Sequence, residues 1–207
     1  MNADPIARWY RWLEYLGFGR ALERRRFAFL KSVANARRIL VLGEGDGRFL
    51  VKLVEQNIHA SIDYVDLSDR MLELARDRAG DERVVYHHAS ALELQLPEAE
   101  YDLIVTHYFL DCLNGRDAET LIAKVARSVQ PSARWIVSEF REPAAWAHVI
   151  VNSLYFFFRI TTGLRTRKLI DHRPLLKRHG FTMQRCETER FGLLTSELWT
   201  FGDNKIK

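Results

Sequence analysis

Apolar positions along this chain switch repeatedly between short continuous runs and helically spaced sets. Ile39-Leu40-Val41-Leu42 is a run of four, which suits a strand covered on both faces. Phe49, Leu50, Leu53 and Val54 follow at helical spacing, with Asp46 as the expected N-cap and Asn57 at the C-terminal end. Ser61–Asp66 reads as a second strand, and the helix after it starts at Ser68 as N-cap. Arg83–His88 is a third strand and Tyr101–Thr106 a fourth. A helix from Arg116 to Val129, with Asp111 as its natural N-cap, leads through Gln130-Pro131-Ser132-Ala133-Arg134 to a fifth strand at Trp135–Phe140. Ala144 to Ile160 is apolar nearly all the way round, so this helix is either buried or covers something greasy. Asp171-His172-Arg173-Pro174 opens a further helix that Lys177-Arg178-His179-Gly180 closes with last-turn cations and a glycine. Phe181–Arg190 and Leu194–Phe201 are joined by so short a turn that they must pair antiparallel.

The predicted order is β-α-β-α-β-α-β-α-β-α-β-β, with a helix in every gap up to the hairpin, the third-to-fourth gap included. It calls for an α/β three-layer sandwich: a mostly parallel seven-stranded sheet with a C-terminal antiparallel hairpin. Residues 1–35 read as a helical cap segment ahead of one domain at 36–207, with a lid insertion at about 143–170. In the cap, Ile6, Trp9, Trp12, Leu13 and Leu16 share helical spacing up to a break at Gly17-Phe18-Gly19. Its aromatic face either packs on the domain or lends a side chain such as Tyr10 to a pocket. Arg24-Arg25-Arg26 reads as a solvated helix face.

Composition narrows the class only a little. A chain of 207 residues suits one domain with a sizeable core, and the formal charge of +4 does not argue for nucleic acid. Cys112 and Cys186 have no metal-ligand spacing, so no metal is expected. Reduced thiols and a polar N-terminus without an apolar signal region fit a cytoplasmic protein. The uninterrupted core of the apolar helix, Val149 to Phe158, falls short of the roughly 20 residues a bilayer span needs. Arg165, Arg167 and Lys168 directly after it could meet an acidic substrate group or an anionic membrane surface, so peripheral membrane contact stays open.

The chemistry gathers at Gly43-Glu44-Gly45-Asp46-Gly47, between the first strand and its helix. Glycines let backbone approach a ligand, and the helix start supplies unpaired amides. Dinucleotide turns use G-x-G-x-x-G. Here the third glycine comes one residue early and Arg48 takes its place, which disfavours a nicotinamide-dependent oxidoreductase. About 20 residues on, Asp66 finishes the second strand where a carboxylate can accept both ribose hydroxyls of an adenosine ligand. In this fold ligands sit beyond the carboxyl ends of the strands, at the point where strand order reverses, which puts His107, Tyr108 and Asp111 beside the reacting group.

The G-x-G-x-G turn and the run Asp66-Leu67-Ser68-Asp69-Arg70-Met71-Leu72-Glu73-Leu74-Ala75 together resemble the class I S-adenosylmethionine-dependent methyltransferases. Tyr101-Asp102 and the final hairpin support this, and the resemblance covers about residues 36 to 201. It implies S-adenosylmethionine as cofactor, held by Gly43, Glu44, Gly45, Gly47, Asp66, Leu67, Met71, Ser90, Ala91 and His107. His107 would lie under the sulfonium as a structural hydrogen-bonder or as a base. Tyr10, Tyr108, Asp111 and Tyr155 would meet the acceptor beneath the 143–170 segment, which in this family lies over the substrate. The acceptor expected is small and apolar: a lipid, a quinone or a phenol. Three departures are visible: Val41 stands where the family often has an acid, Ser90 where it has aspartate, and Pro131-Ser132-Ala133 where it has P-G-G. Glu44 could take over the electrostatic role toward a cationic cofactor. A catalytically silent cofactor-binding or interaction protein remains as an alternative.

Overall fold

The computed structural model describes residue 4 and residues 17–163, 166 and 168–202. Within them, β1 (Arg38–Leu42), β2 (Ser61–Asp66), β3 (Val84–His88), β4 (Tyr101–His107), β5 (Val129–Phe140), β6 (Phe181–Glu189) and β7 (Leu194–Phe201) build one sheet. The helices are α1 (Ala21–Phe27), α2 (Arg48–Gln56), α3 (Asp69–Ala79), α4 (Gly115–Ser128), α5 (Ala145–Thr162) and α6 (His172–Arg178). Strand order across the sheet is β3-β2-β1-β4-β5-β7-β6. The neighbours from β3 to β5 are parallel, and β7 runs antiparallel to both β5 and β6. The expected sheet and its closing hairpin are both present.

Alternation along the buried strands splits the core into two layers. Ile39 and Val41 face α2 and α3 through Phe49, Leu53, Leu72 and Ala75. Leu40 and Leu42 face the other way, with Leu121, Ile122 and Val125 of α4 and Leu176 of α6. A third cluster, beyond the strand ends, joins Ala21 and Leu22 of α1 to Tyr108 and to Ala147, Val151 and Tyr155 of α5.

Four local expectations are corrected. No helix lies between β3 and β4; turns fill the gap, and Lys124 of α4 donates to the carbonyls of Ala91, Leu92 and Leu94 there. Asp46 does not cap α2. Gly47, at φ 79°, is the N-cap residue, and the Asp46 carboxylate pairs with Arg48 at 2.9 Å and Arg78 at 2.5 Å. Asp111 does not cap α4 either: Asn114 does, accepting from the Asp117 amide at 2.9 Å. The Arg24-Arg25-Arg26 run is a solvated face only at Arg24. Arg24 and Arg25 pair with Glu189 and Glu187 of β6, and Arg26 is buried. The expected cap Ser68 is present on α3, and Asp171, in the run expected to open α6, caps that helix. Asp102 anchors the start of β1 by accepting from the amides of Arg37 (2.8 Å) and Arg38 (3.0 Å). Ser132, at φ 64°, holds a left-handed position that glycine usually takes.

Candidate functional site

β1 and β4 are neighbours, while the chain runs outward from β1 to β2 and β3 on one side and from β4 to β5 on the other. A crevice must therefore open beyond the carboxyl ends of β1 and β4, where the loops leave in opposite directions. A cleft of about 550 Å³ lies there, within the range of small-molecule sites.

The glycine turn forms one wall. A Cβ built on Gly43 would come 2.1 Å from the Phe109 ring, so the loop after β4 seats directly on the turn. A Cβ on Gly45 meets nothing within 4 Å, which leaves that backbone open to a ligand. Gly47 serves packing instead. Its Cβ would stand 2.6 Å from the Ala75 Cα, so this glycine lets α2 and α3 touch and does not line the cleft.

Acids flank the turn. Asp66 accepts from the Ser68 amide at 2.9 Å, and burial pushes its carboxyl up to about 6 against the pull of the nearby Ser68, Gly45 and Leu67 amides. Glu44 is 3% exposed and accepts from the Tyr64 hydroxyl at 3.0 Å. Burial pushes it up to about 7, opposed by the Arg26 guanidinium. His107 ends β4 with Nδ1 3.0 Å from the Ser138 hydroxyl and its ring edge-on to Phe49. Burial and then Arg26 hold its imidazole well below the ordinary range, so it stays neutral. Its Nε2 has no hydrogen-bond partner among the described residues.

The cleft brings together Gly43, Glu44, Gly45, Asp66, Leu67, Met71, Ser90, Ala91, His107 and Tyr108. Asp111 and Tyr155 stand behind this surface. Asp111 is buried, and the Tyr155 hydroxyl donates to its carbonyl at 3.1 Å. Tyr10 and Arg165 lie outside the described residues, as do Trp9, Trp12 and Arg167. Several lining residues escaped the sequence reading: Phe109, Cys112 and Leu113 after β4, Asn114 and Asp117 at the start of α4, and Thr162, Gly163 and Thr166 after the apolar helix. The N-x-x-D spacing of Asn114 and Asp117 was a usable signal for a helix start at the cleft. Lys124, which clasps the Ala91–Leu94 turn from behind, left no signal in the local pattern.

Fold and cleft define an α/β protein of the Rossmann-like class with a nucleoside-sized site at the sheet's switch point. Residues 39–132 match the methyltransferase-domain family. Its fold is that of the class I, Rossmann-like S-adenosylmethionine-dependent methyltransferases. It is 30% identical over 139 residues to a demethylmenaquinone methyltransferase of Deinococcus radiodurans, covering 64% of this chain and 55% of the relative. A demethylmenaquinone methyltransferase of Thermus thermophilus is 31% identical over 144 residues, with coverage of 68% and 64%. The matched part of the chain thus spans 55% and 64% of the length of these two relatives, less than two thirds of either. In fold it is similar to the N-methyltransferase NodS of Bradyrhizobium japonicum, solved with S-adenosyl-L-homocysteine. That likeness has a TM-score of 0.67 at 15% identity and covers 88% of this chain and 89% of the other.

Proposed function

We propose that this protein transfers a methyl group from S-adenosylmethionine to a small apolar acceptor of quinone or phenol type. The observation that carries the reading is Asp66, an amide-bonded acid at the tip of β2, sharing one cleft with the open backbone of Gly45. The cofactor supplies an electrophilic methyl group on a sulfonium cation. Asp66 would hold the ribose, while Ser90 and Ala91 would border the adenine. Glu44 would face the cationic end, where the glycine turn adds backbone amides.

Such a transfer asks the protein mainly for alignment and exclusion of water. Phe109 and Leu113 supply apolar walls for this purpose. A neutral His107 is a hydrogen-bond acceptor for an acidic hydroxyl rather than a strong base, which favours a phenol or enol over an alcohol. The named activities of the demethylmenaquinone relatives support a quinone-like ring at coarse resolution.

A lipid-borne acceptor is favoured by one further observation. α5 buries Ala147, Val151 and Tyr155 but leaves Val149, Phe156 and Ile160 more than 60% exposed, and its last residue lines the cleft. No helix among the described residues is long and apolar enough to cross a membrane, so contact through this face would be peripheral.

The test is turnover: incubation with S-adenosylmethionine and a panel of demethylated quinones, phenols, fatty acids and phospholipid head groups, read as S-adenosylhomocysteine formed. Release dependent on a quinone or phenol supports the proposal. Binding of cofactor without release for any acceptor would make this a silent cofactor-binding protein.

A further inference from the structure

Behind the cleft wall lies a buried acid that the proposed reaction does not use. Glu139, on the penultimate residue of β5, is 1% exposed. Its Oε1 accepts from the amides of Phe109 at 3.2 Å and Leu110 at 2.8 Å, and the Asp111 amide also bonds the carboxyl. Its Oε2 has no hydrogen-bond partner among the described residues. Burial, and then the neighbouring Asp111 carboxyl, push Glu139 well above the ordinary carboxylate range despite those amides. A buried acid beside a second carboxyl is costly, and an ordinary apolar residue would fill the space without that cost.

The turn it grips is itself unusual. Tyr108 sits at φ 53°, a left-handed conformation that bulky residues rarely hold, with its amide bonded to the Ser138 carbonyl at 2.7 Å. Tyr108, Phe109 and Cys112 all line the cleft, and the Phe109 ring rests where a Gly43 side chain would be. Tension in the turn therefore passes straight to the glycine loop.

We infer that Glu139 is a positioning residue for the methyl-transfer site: its carboxyl fixes the Tyr108–Cys112 turn and, through Phe109, the glycine turn that cradles the cofactor. This rests on the methyltransferase reading above. Strand β5 holds Glu139 in place, its backbone in register with Thr195 of β7 and its carbonyl accepting from the Thr195 hydroxyl at 3.2 Å. The three turn amides are satisfied by an acceptor that does not itself touch the ligand. The wall is thus held from behind, by a carboxyl that is not among the lining residues.

The test compares Glu139→Gln, which keeps an acceptor oxygen, with Glu139→Leu, which keeps the volume and removes the acceptor. Calorimetric titration with S-adenosylhomocysteine is run well below the melting temperature of each variant. The leucine variant is expected to bind about tenfold more weakly, with glutamine within about threefold of wild type. Deuterium exchange at the Phe109 and Leu110 amides should rise in the leucine variant alone. A merely structural role would lower the melting temperature and leave affinity unchanged. A folded leucine variant with wild-type affinity overturns the inference, as does an equal loss in both variants. If the leucine variant does not fold, the wild-type chain decides: slow exchange at Phe109 and Leu110, comparable with β4, supports the assignment, and solvent-like exchange overturns it. A wild-type chain that binds no S-adenosylhomocysteine would sink the methyltransferase reading itself, a distinguishable failure.

Discussion

Asp66 offers the sharpest handle on the cleft, because its charge and its hydrogen bonds can be varied separately. Burial raises its carboxyl to about 6 in the free protein. A sugar hydroxyl is best accepted by the ionised form. If only that form binds, affinity for S-adenosylhomocysteine levels off above pH 7 and is about tenfold weaker at pH 5 than at pH 7. The sign follows from the raised value: the acid is mostly ionised at pH 7 and mostly protonated at pH 5. Asp66→Ala removes a hydrogen bond to a charged acceptor, worth about 1.5–3 kcal/mol, so binding at pH 7.5 should weaken roughly 10- to 150-fold. In that variant the pH dependence near 6 should vanish. Isothermal titration with S-adenosylhomocysteine measures both effects. Because Glu44 also ionises near this range, the comparison of wild type with Asp66→Ala is what assigns the effect to Asp66. Equal affinity at pH 5 and pH 7 in the wild type, or unchanged affinity in Asp66→Ala, refutes the ribose assignment.

Other expectations are as direct. Gly47→Ala drives a Cβ to 2.6 Å from the Ala75 Cα at φ 79°, and should cost about 2–5 kcal/mol by overpacking and backbone strain; a loss under about 0.5 kcal/mol in thermal melts would contradict that packing. Glu44, raised from 4.5 to about 7, contributes stability that is complete below pH 4.5 and lost as pH rises through about 7. Glu44→Gln should therefore match wild type near pH 4 and be about 1–3 kcal/mol more stable near pH 8, and a stability difference independent of pH would refute the burial argument. His107, held neutral, should add no ionisation to the kcat profile between pH 6.5 and 8. A step there that His107→Asn abolishes would overturn that. Val149→Glu with Ile160→Glu should change stability by less than about 0.5 kcal/mol per site yet reduce co-sedimentation with anionic vesicles, and undiminished binding would remove α5 as the contact.

Much of this architecture was legible because buried parallel strands and amphipathic helices write different periods into the chain. Ile39–Leu42 and the Phe49, Leu50, Leu53, Val54 set carry both periods within sixteen residues, with the glycine turn at the junction. Asp66 was legible because the end of a strand, unlike a loop, fixes where its side chain can point. The failures share a cause. Asp46 and Asp111 were chosen as caps because short acids precede helices, yet a cap depends on backbone geometry. Gly47 takes that geometry for α2 and Asn114 for α4, while Arg48 and Arg78 claim the Asp46 carboxylate. The helix placed between β3 and β4 extended a regular alternation over Leu92, Leu94 and Leu96, whose spacing of two is not helical and which pack on the core from turns. Tyr155 illustrates a further limit. In a helix apolar on every side, sequence does not give the rotational phase, so which residues face the cleft was not readable from Val149–Phe158. Glu139 and Lys124 were invisible for a related reason: each acts on a turn remote in sequence, and only tertiary contact reveals it.

The central claim is that an adenosine moiety lies across the tip of β1 with its sugar on Asp66. A crystal structure of the protein with S-adenosylhomocysteine tests it most directly. The account predicts the ribose hydroxyls within hydrogen-bond distance of the Asp66 carboxylate, the backbone of Gly45 against the ligand, and the thioether near His107. A ligand bound elsewhere on the molecule, or this cleft empty at saturating ligand, would contradict it.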